Sequence, residues 1–110
     1  MNRLIAGALV VLALLGALGG AAATAESEAG GRTLYLERCG GCHLKGGFAT
    51  RVLARRVPAG QAELEQREAL PAAYVVSAVR HGIGSMPQIR PAELSDADLA
   101  EIAHYLDKSS

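Results

Sequence analysis

The chain has 110 residues, and its eleven Lys and Arg balance eleven Asp and Glu, so the formal net charge is zero. This balance gives no electrostatic case for nucleic-acid binding. The chain has no tryptophan, one phenylalanine and three tyrosines. Its side chains alone therefore make a thin hydrophobic core, and a domain of this size needs a further source of stability.

The first segment is organised like a secretory signal. Arg3 precedes an apolar run from Leu4 to Leu18, and small residues follow up to Ala25. This order predicts a cleaved signal peptide over residues 1–25 and one domain over residues 26–110, located in the periplasm. The alternative is a retained membrane anchor, since the apolar stretch approaches the roughly 20 residues that span a bilayer.

A helix is predicted just before the first cysteine. Apolar and small residues recur there at helical spacing, and two adjacent glycines follow that can end a helix. The residues that carry this prediction are Gly31, Leu34, Tyr35, Arg38, Gly40 and Gly41.

The pentapeptide Cys39-Gly40-Gly41-Cys42-His43 contains both cysteines of the chain. Thiols at this spacing can each add across a haem vinyl group while the adjacent imidazole reaches the iron, so the motif predicts one covalently attached haem c. Two alternatives are open. A thioredoxin-like dithiol expects a βαβ setting, and a zinc site needs further ligands, for which only His81 and His104 remain.

Export and covalent haem are consistent with each other. A C-x-x-C pair outside the cytoplasm would otherwise be exposed to oxidation. A buried porphyrin would also supply the apolar volume that the side chains lack. We therefore expect the apoprotein to be poorly folded.

The rest of the chain is predicted to be helical. A short helix is expected around Val52 and Leu53, and the polar segment from Glu63 to Ala69, with Glu65, is expected to be solvated helix surface. A second helix starts at Pro71 and stops at Gly82.

The clearest predicted helix is the last one. Ser95 is a good N-cap and Asp98 completes a capping box, while Leu94 and Leu99 are placed as a hydrophobic staple. An apolar stripe then runs along one face of the helix. Its members are Leu99, Ile102, Ala103 and Leu106.

Met86 is the predicted distal ligand of the haem iron. It is the only methionine after Met1 and lies in a loop where Pro87 restricts the backbone. A thioether ligand opposite His43 would raise the reduction potential and fill the sixth position, which favours electron transfer over chemistry at iron. The competing donors are His81, which would give bis-histidine ligation, and His104.

These motifs, in this order, resemble the class I c-type cytochromes. The resemblance implies an all-α fold of about three to five helices around one haem, with the first and last helices crossing at Gly31, Tyr35 and Tyr105. More narrowly, the stretch from Leu70 to Pro87 is similar to the cytochrome subunits of p-cresol methylhydroxylase-type flavocytochromes. Family members usually have a Gly-Pro whose carbonyl accepts the proton of the ligand imidazole. Here a carbonyl of residues 46–50 is expected to do so instead.

The resemblance implies an electron carrier and not a catalyst. Its partners would be a flavin-linked or other periplasmic dehydrogenase as donor and a downstream respiratory carrier as acceptor. A basic cluster of Lys45, Arg51, Arg55 and Arg56 could face an acidic partner surface or could simply be solvated. The alternatives are a haem sensor or peroxidase-like enzyme with a displaceable sixth ligand, and a dithiol or metal module without haem.

Overall fold

The structure is a computed structural model, and it describes residues 22–109. Helical segments make up the architecture, and no β-strand occurs within this range. Helix α1 covers residues 22–38. It is followed by α2 (Gly40–His43), α3 (Phe48–Leu53), a 3₁₀ turn (Leu64–Gln66), α4 (Ala72–His81) and α5 (Asp96–Leu106). This arrangement confirms the predicted small all-α cytochrome c fold. Residues 1–21 of the predicted signal segment lie outside the described residues.

The last helix forms as its sequence predicts. The Ser95 hydroxyl oxygen accepts a hydrogen bond from the Asp98 backbone N–H at 3.1 Å, and Asp96 and Asp98 lie in the first turn, where they complement the helix dipole. The predicted apolar stripe is buried. It packs against α4, whose own buried residues are Val75 and Val79.

Helix α4 is bounded close to the predicted ends. Pro71 is its N-cap and Gly82, with φ of 73°, is its C-cap. The first helical N–H, that of Ala72, donates to Oδ2 of Asp107 at 2.9 Å. Because an N-terminal N–H has no partner within its own helix, this bond from the end of α5 satisfies it and ties the two helices together.

Helix α1 crosses α5 at the residues that the resemblance implied. The Tyr35 and Tyr105 ring centroids are 5.9 Å apart, and Tyr35 is fully buried. Ser27 donates a hydrogen bond to Glu101 at 2.6 Å on the same side. The crossing brings the first and last helices into contact.

Two local predictions are wrong. Gly40 and Gly41 do not end α1, which stops at residue 38; they belong to α2, and neither has the positive φ of a glycine cap. The segment from Glu63 to Ala69 forms only a single 3₁₀ turn, and Glu65 is partly buried. The physical reason is a tertiary contact, since Glu65 accepts a hydrogen bond from the Tyr105 hydroxyl.

Within the described part of the chain, no helix combines the length and the apolar character that crossing a bilayer requires.

Candidate haem site

The candidate site is a cavity of about 860 Å³ at the centre of the domain. Residues from every helix contribute to its wall, including core residues of α4 and α5. Its volume falls within the range of roughly 300–1,000 Å³ that is typical of cofactor and ligand sites. The predicted haem ligands are among the lining residues: Cys39, Cys42, His43 and Met86. Their contact with one cavity is the arrangement that a haem c site requires.

The C-x-x-C-H motif forms a helical turn of its own on one part of the wall. The His43 N–H donates to the Cys39 carbonyl at 3.0 Å, and the Leu44 N–H donates to that of Gly40 at 3.0 Å. Both cysteines are free thiols. The turn therefore presents two thiols and an imidazole from five consecutive residues.

The thiol of Cys39 is not activated. Burial, and then the proximity of Cys42, raises its pKa to about 11. A redox dithiol works in the opposite way, with a thiol pKa lowered towards neutrality. In addition, no cluster of three or more His, Cys, Asp or Glu suited to a metal ion occurs in residues 22–109. The raised pKa of the Cys39 thiol favours the haem interpretation of the motif over the dithiol alternative.

His43 is suited to bind a metal through a neutral imidazole. Burial, and then the charge of Arg67, lowers its pKa below the usual range, and a histidine must be neutral to donate to a metal. The Nδ1 atom is buried and has no hydrogen-bond partner. The expected acceptor, a carbonyl of residues 46–50, is thus not observed, and this prediction is wrong.

The reason lies in how the residues after His43 are folded. The Gly47 N–H donates to the Leu44 carbonyl at 2.9 Å, and the Thr50 hydroxyl donates to the same carbonyl at 2.8 Å. The Gly46 carbonyl accepts a hydrogen bond from Arg51. Gly47 also lies so close to Cys42 that an added Cβ would be 2.2 Å from the Cys42 carbonyl oxygen. The segment therefore makes hydrogen bonds within itself and packs against the Cys42 backbone.

Met86 reaches the cavity from the loop between α4 and α5. It exchanges two backbone hydrogen bonds with Ile83, at 2.9 and 3.2 Å, around a two-residue turn that contains Gly84 with φ of 55°. Met86 is partly buried and packs against the core cluster. Gly82 allows this loop to close, because a Cβ there would be 2.8 Å from the Met86 carbonyl oxygen.

The competing histidines are exposed. The His81 Nδ1 atom lies 3.0 Å from the Ser77 carbonyl of its own helix, and neither His81 nor His104 is among the residues that line this cavity. Met86 is therefore the donor that the fold brings into the same cavity as His43.

The predicted basic cluster is exposed, and Arg56 also borders the cavity. Sequence reasoning missed Arg80, which is hydrogen-bonded to the carbonyls of Ile89 and Leu94 in the Met86 loop. Nothing local distinguishes this arginine from the others in the chain. Only its three-dimensional neighbours reveal its role.

Comparison with known proteins finds one family and one relative. The sequence model of the family described as cytochrome C oxidase, cbb3-type, subunit III matches residues 26–106. The cytochrome c subunit of 4-cresol dehydrogenase (hydroxylating) from Pseudomonas putida is 31% identical over 106 residues, which cover 96% of this chain and 81% of that protein. No solved structure gives a significant match. The similarities confirm the resemblance that the motifs predicted.

Proposed function

This chain belongs to the c-type cytochrome family, and on that premise we propose that it is an exported electron carrier with one covalently attached haem c. Family membership implies a haem and electron transfer, and it confirms the prediction of a carrier that is not a catalyst by itself. In the proposed assignment, Cys39 and Cys42 hold the haem through thioethers. His43 would be the proximal ligand of the iron and Met86 would be the distal ligand.

The observation that carries the ligand assignment is the shared cavity. Both thiols, the imidazole and the thioether line it, and its volume suits a cofactor. A haem bound there would supply a one-electron redox couple whose potential a His/Met ligand pair raises. In that assignment His43 and Met86 would hold the iron, and the apolar residues of α4 and α5 that line the cavity would limit its contact with water.

The proposed electron donor is a flavin-linked dehydrogenase, and the acceptor is a second carrier. The relative in Pseudomonas putida is the cytochrome subunit of a hydroxylating dehydrogenase, which supports a donor of this class. Around the cavity, Phe48, Tyr74 and Ile83 are exposed apolar side chains, and Arg56 adds positive charge. An apolar patch with a basic edge suits a transient contact with an acidic partner surface.

Export to the periplasm is proposed from the sequence of residues 1–25. The family match lies entirely downstream of this segment. If the segment is a cleaved signal, the protein recovered from the periplasm starts at Glu26 after cleavage at Ala25, or at Thr24 if cleavage instead follows Ala23. N-terminal sequencing tests this, and a membrane-bound protein that retains residue 1 would show that the segment is an anchor.

The ligand assignment is tested by absorption spectra of the exported protein, oxidised and reduced. We expect sharp c-type bands after reduction and a weak far-red charge-transfer band in the oxidised protein, which Met86→Ala abolishes. His81→Ala is the matched control and keeps the band, because His81 is exposed and makes no contribution to the cavity wall. Carbon monoxide that binds wild type readily, without a far-red band, would instead show an open sixth site and a sensor or enzyme function.

A further inference from the structure

The Arg80 side chain links α4 to the loop that carries Met86. One guanidinium nitrogen donates to the Ile89 carbonyl at 3.0 Å, and the other donates to the Leu94 carbonyl at 3.0 Å. The side chain is only 16% exposed. A planar guanidinium can hold two separate acceptors in a fixed geometry, which a lysine ammonium on its flexible stem does less well.

The two carbonyls lie on the C-terminal side of Met86, where the loop makes few other hydrogen bonds to α4. The Ile89 N–H donates to the Val79 carbonyl at 2.9 Å, and the hydrogen bonds of Arg90 to Glu93 and Leu94 stay within the loop. On the N-terminal side, Met86 is already fixed by its pairing with Ile83. Arg80 and the Ile89 bond therefore hold the second end of the Met86 segment.

The third partner of Arg80, Asp96, contributes less to holding the loop. The Arg80 guanidinium is 2.5 Å from Oδ1 of Asp96, whose side chain is 86% exposed. Exposed ion pairs contribute little because solvent and salt screen them. The hydrogen bonds to the two loop carbonyls are charge-assisted and shielded, so they are the stronger attachment.

We infer that Arg80 is the positioning residue for the distal ligand: by holding the Ile89 and Leu94 carbonyls, it keeps Met86 in the cavity and suppresses its displacement. This inference rests on the ligand assignment proposed above. A methionine loop that opens more often exposes the sixth position more often, and the apparent affinity of an added ligand rises in proportion to the open fraction.

The test uses imidazole as a probe that competes with Met86 in the oxidised holoprotein. Loss of two charge-assisted hydrogen bonds is expected to raise the apparent imidazole affinity of Arg80→Ala by about tenfold or more and to weaken the far-red band. Arg80→Lys should give a smaller increase, because one ammonium cannot replace the two-carbonyl fork. Asp96→Asn should change the affinity less than about twofold.

A purely structural role is distinguished by Gly31→Ala, which destabilises the α1–α5 crossing through close contacts with α5 only and should leave the imidazole affinity unchanged. If Arg80→Ala fails to fold, the imidazole affinity of Arg80→Lys tests the inference. An affinity equal to wild type in the folded Arg80 variants overturns the inference while the ligand assignment stands. Absence of the far-red band in wild type, or its survival in Met86→Ala, instead overturns the ligand assignment and the inference with it.

Discussion

Gly31 of α1 lies directly against the backbone carbonyl of Glu101 in α5, so that a Cβ added to Gly31 would be 2.5 Å from that oxygen. The same Cβ would be 2.8 Å from the Cβ of Tyr105. Both neighbours are close to the helix backbone and cannot rotate away. The crossing of the first and last helices therefore depends on the absence of a side chain at residue 31.

Gly31→Ala is expected to lower the free energy of unfolding by about 1–3 kcal/mol, because the helices must separate to accept the methyl group. Denaturant unfolding of the reduced holoprotein measures the change. Gly30→Ala is the matched control, since nothing lies within 4 Å of a Cβ there and the residue is exposed in the same helix. Alanine at an exposed helical position should stabilise by roughly 0.5–1 kcal/mol. Equal effects of the two variants would contradict the close contact.

Gly82→Ala is expected to disturb the Met86 loop. The residue has φ of 73° and ψ of 163°, a conformation that is essentially restricted to glycine, and its Cβ would meet the Met86 carbonyl. We expect a cost of about 1–3 kcal/mol in stability and a weaker far-red band. Gly60→Ala is the control, because it shares a positive φ of 83° but has no neighbour within 4 Å. An unchanged far-red band in Gly82→Ala would argue against a link between the turn and the ligand.

The free energy of unfolding is expected to fall at alkaline pH because the Tyr105 hydroxyl loses its proton there. Burial, and then the hydrogen bond to Glu65, raises the pKa of Tyr105 to about 12 from 10.0. The folded state thus holds the phenolic proton more tightly than the unfolded state. Its contribution is complete below pH 10 and is lost as the pH rises through about 12.

Tyr105→Phe is expected to be less stable by about 0.5–1.5 kcal/mol at neutral pH, since it loses a partly solvated hydrogen bond. The difference from wild type should shrink between about pH 8 and about pH 11. Urea midpoints of the reduced holoprotein at the two pH values measure this. Glu65→Gln keeps an acceptor without the charge and should show an intermediate pH dependence. A constant difference between wild type and Tyr105→Phe would contradict the raised pKa.

The apoprotein is expected to be poorly folded, because the cavity of about 860 Å³ occupies the centre of a domain with few large apolar side chains. A double variant, Cys39→Ser with Cys42→Ser, cannot form thioethers. Its far-UV circular dichroism should show reduced helicity and no cooperative unfolding transition. Cys42→Ser alone keeps one thiol for attachment and should remain folded with haem. Cooperative unfolding of the double variant at the wild-type midpoint would contradict this prediction.

Sequence reasoning succeeded where the signal is local. The Ser95 cap, the ends of α4 and the apolar stripe of α5 each depend on residues within a few positions of one another. It failed at Glu65, where a tertiary bond to Tyr105, 40 residues away, replaces the expected solvated helix. It also failed at His43, whose Nδ1 atom has no hydrogen-bond partner because the segment that was expected to supply one folds back on itself.

The sequence alone places two thiols and an imidazole in one pentapeptide, and these groups stay together in any fold. It also predicted α4 and α5 with nearly the right ends, since caps and apolar periodicity act over one or two turns. Only the tertiary structure brought Met86 into the same cavity, closed its loop over Gly82 and attached that loop to Arg80. Those contacts join residues that are near in space and apart in sequence, and the path of the chain between them is set by the packing of the whole core.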